Sequence, residues 1–358
     1  MVYLDHAERH YRDSDGNPTD ETRHVKAVCR YVRELYGETC AAEFGPLALK
    51  AVRQKFVEQR WCRKTVNARV ERVGRIFKWA VAEELVPPAV YQALAAVAGL
   101  QRGRTAAPDA EPIGPVDDAV VDATLPHLNR YVRGLIELQR LTGCRPGEAC
   151  QIRRCDIDMS GAVWLYKPAR HKTAWRGKTR TIAIGPKAQA LLRGFFTPNV
   201  SDYLFSPARA VEECRADRAA QRKTPRYPSH MKRNEQKRVD NPKRRPTDRY
   251  NRLSYLTAVT RGCDRAFPPT GDLAQRPGES AAKWWTRLTT EQRGEVRLWQ
   301  RERHWHPNQL RHTHGTRVRR QFGLEAAQVV LGHARADVTQ VYAEADMTQA
   351  ARVAAEIG

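Results

Sequence analysis

Two arginines, a histidine and a tyrosine occur in this sequence where they could act together on a phosphodiester. Arg145 lies in LTGCRPGEA, Arg311 in QLRHTHGT, His333 in VLGHARA and Tyr342 in VTQVYAEAD. Breaking such a linkage without a metal requires cations on the non-bridging oxygens, which gain charge in the transition state. Arginine supplies them as a two-pronged fork and stays ionised. The reaction also needs a nucleophile for phosphorus and an acid for the departing alkoxide. A tyrosine phenolate can attack, and the phosphotyrosine ester that results keeps the bond energy, so a strand can be rejoined without ATP. Taken singly, each residue has an ordinary explanation. An arginine after a glycine turn commonly caps a helix or forms a salt bridge, and a tyrosine in a C-terminal helix commonly packs or faces water.

In chain order the residues form three boxes. The first is T-G-x-R-x-x-E (Thr142-Gly143-Cys144-Arg145-Pro146-Gly147-Glu148), the second L-R-H-T around Arg311, the third Leu331-Gly332-His333, and a tyrosine follows. This set resembles the tyrosine recombinase (phage integrase) family throughout the second domain, and more loosely in the helical region before it. One such box would say little; three in order, with the tyrosine at the family's spacing, are specific. The resemblance implies a mainly α fold with a small β-sheet (α+β), in which a helical N-terminal core-binding domain precedes a catalytic domain. It implies that Arg145 and Arg311 clamp the scissile phosphate and that His333 bonds a non-bridging oxygen or positions the tyrosine. Lys172, in HKTAWRGKTR, would protonate the leaving 5′-oxygen, with Lys178 as the alternative. Tyr342 would form a 3′-phosphotyrosine link, and Glu148 would orient the Arg145 helix. No metal or nucleotide cofactor is implied. The expected partner is double-stranded DNA carrying specific recombination sites. A homotetramer would assemble on two sites from protomers that are monomeric or weakly associated when free. Accessory DNA-bending or directionality proteins would belong to the same picture.

One position departs from the family. Three residues before its second arginine the family usually has histidine, and here the residue is Asn308. Asparagine can donate a hydrogen bond to a phosphate oxygen but cannot take the tyrosine proton at neutral pH. His306 and His312 are neighbours that could substitute. Slower chemistry is expected, not a dead site.

The elements that must position these residues can be traced from the pattern of apolar side chains. In RKTVNARVERVGRIFKWAVAEELV, Val66, Val70, Val73, Phe77, Ala80 and Val81 recur at helical spacing, which puts them on one helix face. DETRHVKAVCRYVRELYG repeats the pattern and stops at Gly37. A helical domain is expected over 1–100, and the aperiodic QRGRTAAPDAEPIGPVD gives a linker over 101–117. The catalytic domain would occupy 118–358. It opens with helices that end near Gly143, and a new helix follows at CRPGEA. AVWLYKPARHKTAWRGKTRTIAIGP then alternates, predicting a hairpin or three-strand ribbon with Lys172, Arg176 and Lys178 near its bend. A basic stretch at about 206–250, nearly free of aliphatic residues, reads as an extended or flexible insertion. In FGLEAAQVVLG, Val329, Val330 and Leu331 are expected to be buried, with Gly332 ending the helix.

Charge points the same way. The 358 residues carry 62 Lys+Arg against 40 Asp+Glu, a formal +22, and a field of that sign draws in a polyanion. Candidate DNA contacts are Arg63, Lys64, Asn67, Arg72 and Arg75 in the N-terminal helix, and Arg176 and Lys178 in the hairpin. Lys243, Arg244 and Arg245 in the insertion complete the set. A solvated basic face is the plainer reading of each run. Eight cysteines without a CxxC pair read as reduced thiols of a cytoplasmic, nucleoid-associated protein. The most apolar stretch, from Val86 to Leu100, is too short to span a bilayer and is broken by Pro87-Pro88. Together these features lead to an expectation of a site-specific recombinase or integrase of a bacterial mobile element. Two rivals stay open: a non-catalytic DNA-binding protein of the same fold, and a tyrosine-type topoisomerase.

Overall fold

The computed structural model describes residues 2–13, 16–170, 179–225, 227–237 and 245–332. Lys172, Arg176, Lys178, Lys243, Arg244, His333 and Tyr342 lie outside the described residues. The chain divides into two compact units, Met1–Pro112 and Ile113–Gly358. No described helix is long and apolar enough to cross a membrane.

The first unit is helical: α1 (Val2–His10), α2 (Asp20–Tyr36), α3 (Pro46–Glu58), α4 (Arg63–Ala82) and α5 (Pro88–Ala95). Helix α4 is rich in valine, which local preference disfavours in helices by about 0.5 kcal/mol per residue. Burial outweighs that cost. Val66, Val70, Val73 and Phe77 are buried, and Ala80 and Val81 pack beside them, each full burial being worth about 1.5–3 kcal/mol. Facing them are Val28 of α2 and Leu49, Val52 and Phe56 of α3. The expected apolar face is the observed one.

The second unit is built around α7 (Arg130–Thr142), which follows α6 (Asp118–Thr124) and a single 3-10 turn. Tyr131, Val132, Leu135, Ile136, Leu138 and Gln139 of α7 are all buried, so the helix is covered on most of its circumference. A short α8 (Pro146–Cys150) leads to β1 (Ile157–Asp158), β2 (Trp164–Tyr166) and β3 (Ile182–Ile184). These form a three-stranded antiparallel sheet in sequence order, with Trp164 opposite Ile184 and Tyr166 opposite Ile182. Trp164, Tyr166, Ile182 and Ile184 are buried, while Leu165 and Ala183 between them are exposed, the alternation expected of a half-buried ribbon.

The chain continues through α9 (Pro186–Arg193), α10 (Pro207–Ala220), α11 (Pro228–Gln236), α12 (Arg252–Ala266), α13 (Ala281–Arg287), α14 (Thr290–Arg303) and α15 (Pro307–Leu331). The basic insertion is therefore not extended throughout, since α10 and α11 lie within it. Neither helix buries a side chain. Arg, Lys, Glu, Gln and Ala are good helix formers in their own right, and each helix opens on a proline at its first turn. Helix α10 is tethered by Glu213, which accepts from Tyr131 Oη at 2.6 Å and Arg130 Nη1 at 2.8 Å.

Helix α15 consists of two segments joined at Gly323, whose φ of 85° and ψ of 177° are not helical. In its second segment Leu331 is fully buried, but Val329 is 76% exposed and Val330 is 37% exposed. The expected burial of all three is corrected. Successive helical residues turn by about 100°, so three in a row cannot share a face, and it is Ala327, four residues earlier, that is buried with Leu331. All eight cysteines are free.

Candidate active site

The first box is a turn locked from several sides. Helix α7 ends at Thr142, and Gly143 takes a left-handed conformation (φ 62°) with its N–H on the Gln139 carbonyl at 2.8 Å. Gln139 is buried, and its Nε2 returns a bond to Cys144 O at 2.9 Å. A β-carbon on Gly143 would stand 2.5 Å from Cδ2 of His314. The chain then enters α8 through Arg145, and Pro146 sets the first helical turn. Glu148, 2% exposed, accepts from the Arg145 backbone N–H and from Arg145 Nη1, both at 2.8 Å. A buried carboxylate needs such partners. The arginine side chain is 31% exposed, with its Nη1 on the Glu148 carboxylate.

The second box is joined to the first by one guanidinium. Arg311, on α15, is 2% exposed. Its Nη1 donates to Gly143 O at 2.8 Å and its Nη2 to Leu331 O at 2.6 Å. The glycine turn ahead of Arg145 and the helix end ahead of Gly332-His333 are therefore tied to the same side chain. Carbonyls at the end of α15 carry partial negative charge, which a cation complements.

A further arginine, absent from the candidates chosen by sequence, reinforces this junction. Arg180 Nη2 donates to Val330 O at 3.1 Å, and its Nε lies 3.8 Å from Glu148 Oε1. Gly332 packs so closely against it that a β-carbon there would come 2.2 Å from Arg180 Nη1. Burial pulls the Arg180 pKa below its ordinary value, opposed by the charge of Glu148; guanidinium nevertheless remains protonated. The sequence did carry a signal for it. Arg180, Ile182 and Ile184 are all buried at two-residue intervals, so a charge continues the inward phase of β3 just before the strand begins.

Asn308 is exposed on the first turn of α15. Its Nδ2 lies 3.4 Å from His312 Nε2, one turn along. Burial, and then the charge of Arg311, hold the His312 pKa below its ordinary value. His306 caps the helix, its N–H on Gln309 Oε1 at 2.8 Å. His314 Nδ1 donates to Arg140 O at 2.9 Å, and burial pushes its pKa down as well. His304 Nε2 meets Asp264 Oδ1 at 2.8 Å. The histidines of this stretch thus have separate partners.

On α4, most of the candidate DNA contacts are engaged within their own unit. Arg63 Nε pairs with Asp109 at 2.8 Å, and Asn67 exchanges two hydrogen bonds with the Leu100 backbone. Arg72 forms a two-pronged pair with Glu21, both contacts at 2.8 Å, and Arg75 reaches the same carboxylate at 2.7 Å. Those arginines hold the Glu21 pKa below the ordinary carboxylate range, the Arg72 hydrogen bond contributing most. Lys64 and Arg245 are exposed.

Residues 279–349 match the model of the phage integrase family. Among solved structures, the chain is similar to the Tn1549 transposon integrase in complex with transposon right end DNA: 14% identity, 99% of this chain and 98% of that one, TM-score 0.58. It is also similar to that integrase in complex with a circular intermediate DNA, at 14% identity, 95% of each chain and TM-score 0.57. A third similarity is to the XerH site-specific recombinase bound to palindromic difH substrate in a post-cleavage complex, at 13% identity, 93% of this chain and 79% of that one, TM-score 0.51. No curated protein sequence matches the chain. At these identities what is shared is the fold, that of the transposon integrase and of the XerH recombinase.

Proposed function

We propose that this integrase-like chain is a site-specific DNA recombinase that cuts and rejoins duplex DNA through a 3′-phosphotyrosine intermediate. The observation that carries the reading is the bridge made by Arg311. It gathers the turn before Arg145 and the helix end before His333 onto one buried cation. Residues far apart in sequence that must act on one phosphate need such a common anchor.

In the proposed reaction, Arg145 and Arg311 carry the charge that develops on the non-bridging oxygens. His333 supports one of those oxygens or the tyrosine, and Asn308 can donate to an oxygen from the first turn of α15. The Tyr342 oxygen attacks phosphorus, its phenolic proton passing to water or to the phosphate, as the bond from phosphorus to the 5′-oxygen breaks. Lys172 gives its proton to that departing oxygen. In the return step a 5′-hydroxyl attacks the phosphotyrosine, its proton passes back to the lysine, and the tyrosine leaves, recovering its proton from water or the phosphate. No net oxidation or hydrolysis occurs. The formal charge of +22 favours encounter with the duplex. Exposed Lys64 and Arg245 are candidate backbone contacts, as are Arg176, Lys178, Lys243 and Arg244. We assign the function to a mobile element, with four protomers on two sites and accessory proteins setting direction.

The test starts from duplexes enriched from a random library by binding to the full-length chain. Each is nicked beside candidate positions, so that cleavage releases a short strand and traps the intermediate. An SDS-resistant protein–DNA adduct that disappears in Tyr342→Phe is the expected result. No adduct with any selected duplex would leave a DNA-binding protein of the same fold. Recombinant product between two sites, as against relaxation of one supercoiled plasmid, separates recombinase from topoisomerase.

A further inference from the structure

We propose that Arg180 is a positioning residue that fixes the distance between the Gly332 turn and the Arg145 box, and so sets the rate of DNA cleavage. The inference rests on the recombinase reading above.

Three contacts converge on this one side chain, which is 7% exposed. Its Nη2 holds Val330 O, its Nη1 closes against Gly332, and its Nε faces the carboxylate that clasps Arg145. That Nε makes no hydrogen bond among the described residues, so Glu148 acts on it through charge while its direct bonds stay with Arg145. The backbone of Arg180 is fixed in turn, because two residues later Ile182 pairs with Tyr166 across the ribbon. The guanidinium therefore works as a spacer. One end rests on the close of α15, after which His333 follows, and the other on the Arg145–Glu148 pair.

Strand packing does not require an arginine here. Position 180 shares the inward phase of Ile182 and Ile184, where an aliphatic residue would extend the apolar face. Burying a charge is unfavourable unless it is paired, and this guanidinium is held between the Val330 carbonyl and the Glu148 carboxylate. Lysine would not serve either. A single ammonium can meet the Val330 carbonyl or approach Glu148, whereas a planar fork reaches both. The identity of the residue thus matches a need to reach both partners from one side chain.

The test uses the full-length chain and two variants, Arg180→Lys and Arg180→Leu. Each is assayed on nicked duplexes from the enriched pool that carry either the ordinary scissile linkage or sulfur in place of its bridging 5′-oxygen. A thiolate leaves without being protonated, so sulfur removes the need for the acid. Arg180→Lys is expected to form adduct at least about tenfold more slowly at saturating DNA, since small misplacements of reacting groups cost rate steeply. DNA affinity should stay within about twofold, because what is lost acts in the transition state and not in binding. Sulfur should leave the defect in place. Arg180→Leu, which takes the donor from the Val330 carbonyl and one cation from Glu148, should lose thermal stability and share the slow cleavage; if it fails to fold, Arg180→Lys still decides the matter.

Parent-like rates in Arg180→Lys would overturn the proposal. Restoration by sulfur would also overturn it, since Arg180 would then act on the leaving-group proton through the hairpin. A loss of affinity equal to the loss of rate would do the same. Absence of adduct from the parent chain on both substrates would instead defeat the recombinase reading beneath it.

Discussion

Gly143 and His314 stand so close that a β-carbon on the glycine would lie 2.5 Å from the imidazole Cδ2. The contact couples the end of α7 to α15, where Arg311 lies one turn earlier. It also explains physically why the first box carries glycine.

Gly143→Ala should therefore cost stability twice over. The left-handed backbone disfavours a side chain by about 1–2 kcal/mol, and His314 would have to abandon its bond to Arg140 O. A fall in melting temperature of at least about 4 °C is expected, given roughly 2–4 °C per kcal/mol for a domain of this size. An unchanged melting curve would show that the turn relaxes freely.

Arg311→Ala should abolish adduct formation and leave DNA affinity nearly intact. It should also destabilise the second unit, because the Gly143 and Leu331 carbonyls lose a buried donor. Each orphaned carbonyl costs about 1–3 kcal/mol. Denaturant titration checks this, and a midpoint equal to that of the parent would refute the bridging role.

Asn308→His should preserve or raise the rate of cleavage. The side chain is exposed and already within 3.4 Å of His312, so an imidazole there adds a proton acceptor without entering the core. Single-turnover adduct formation is the measurement. A collapse in rate would mean that the site is built around the amide.

Stability should fall with acidity through the histidines of α15. His312 and His314 both have folded pKa values below the ordinary 6.5, with burial as the leading cause. The unfolded chain then binds protons that the folded chain refuses. Their contribution is complete above about pH 6.5 and declines as pH drops from there toward the folded values. Urea midpoints at pH 7.5 and 5.5 should differ, and His314→Gln should narrow the gap. A parent midpoint that does not move between these pH values would sink the argument.

Lys64→Ala and Arg72→Ala should separate cleanly. Removing Lys64, an exposed cation, should lower the slope of log affinity against log salt by about 1. Removing Arg72 should lower the melting temperature of the first unit by a few degrees, since its fork is spent on Glu21, and leave the salt slope as it was. Equal slopes for Lys64→Ala and the parent would exclude Lys64 from the backbone contacts.

Much of this arrangement was legible in the sequence because it is local. The valine face of α4, the alternating ribbon and the glycine that ends α7 each follow from period or turn chemistry within a few residues. What escaped depends on partners distant in the chain. Nothing near Arg72 or Arg75 announces that Glu21 will take both. The insertion looked extended because it lacks apolar residues, yet helix propensity needs none. Val329 and Val330 were read by hydrophobicity where geometry decides. Arg180 was visible as a charge in step with Ile182 and Ile184, but its meaning needed Val330 and Glu148. The arrangement of Arg145, Arg311 and Asn308 is now described, whereas Lys172, His333 and Tyr342 lie outside the described residues.

The corner at Gly323 gives α15 a further significance. Arg311 and Leu331 are 20 residues apart and share a hydrogen bond; on an unbroken helix, at 1.5 Å per residue, they would be about 30 Å from each other. The backbone angles at Gly323 belong to a region that other residues all but never enter. Any substitution there would push α15 toward a single straight rod and carry its far end away from the arginine that anchors it. An evolutionary drift that spared every reacting group could thus still silence the protein, by straightening one bend.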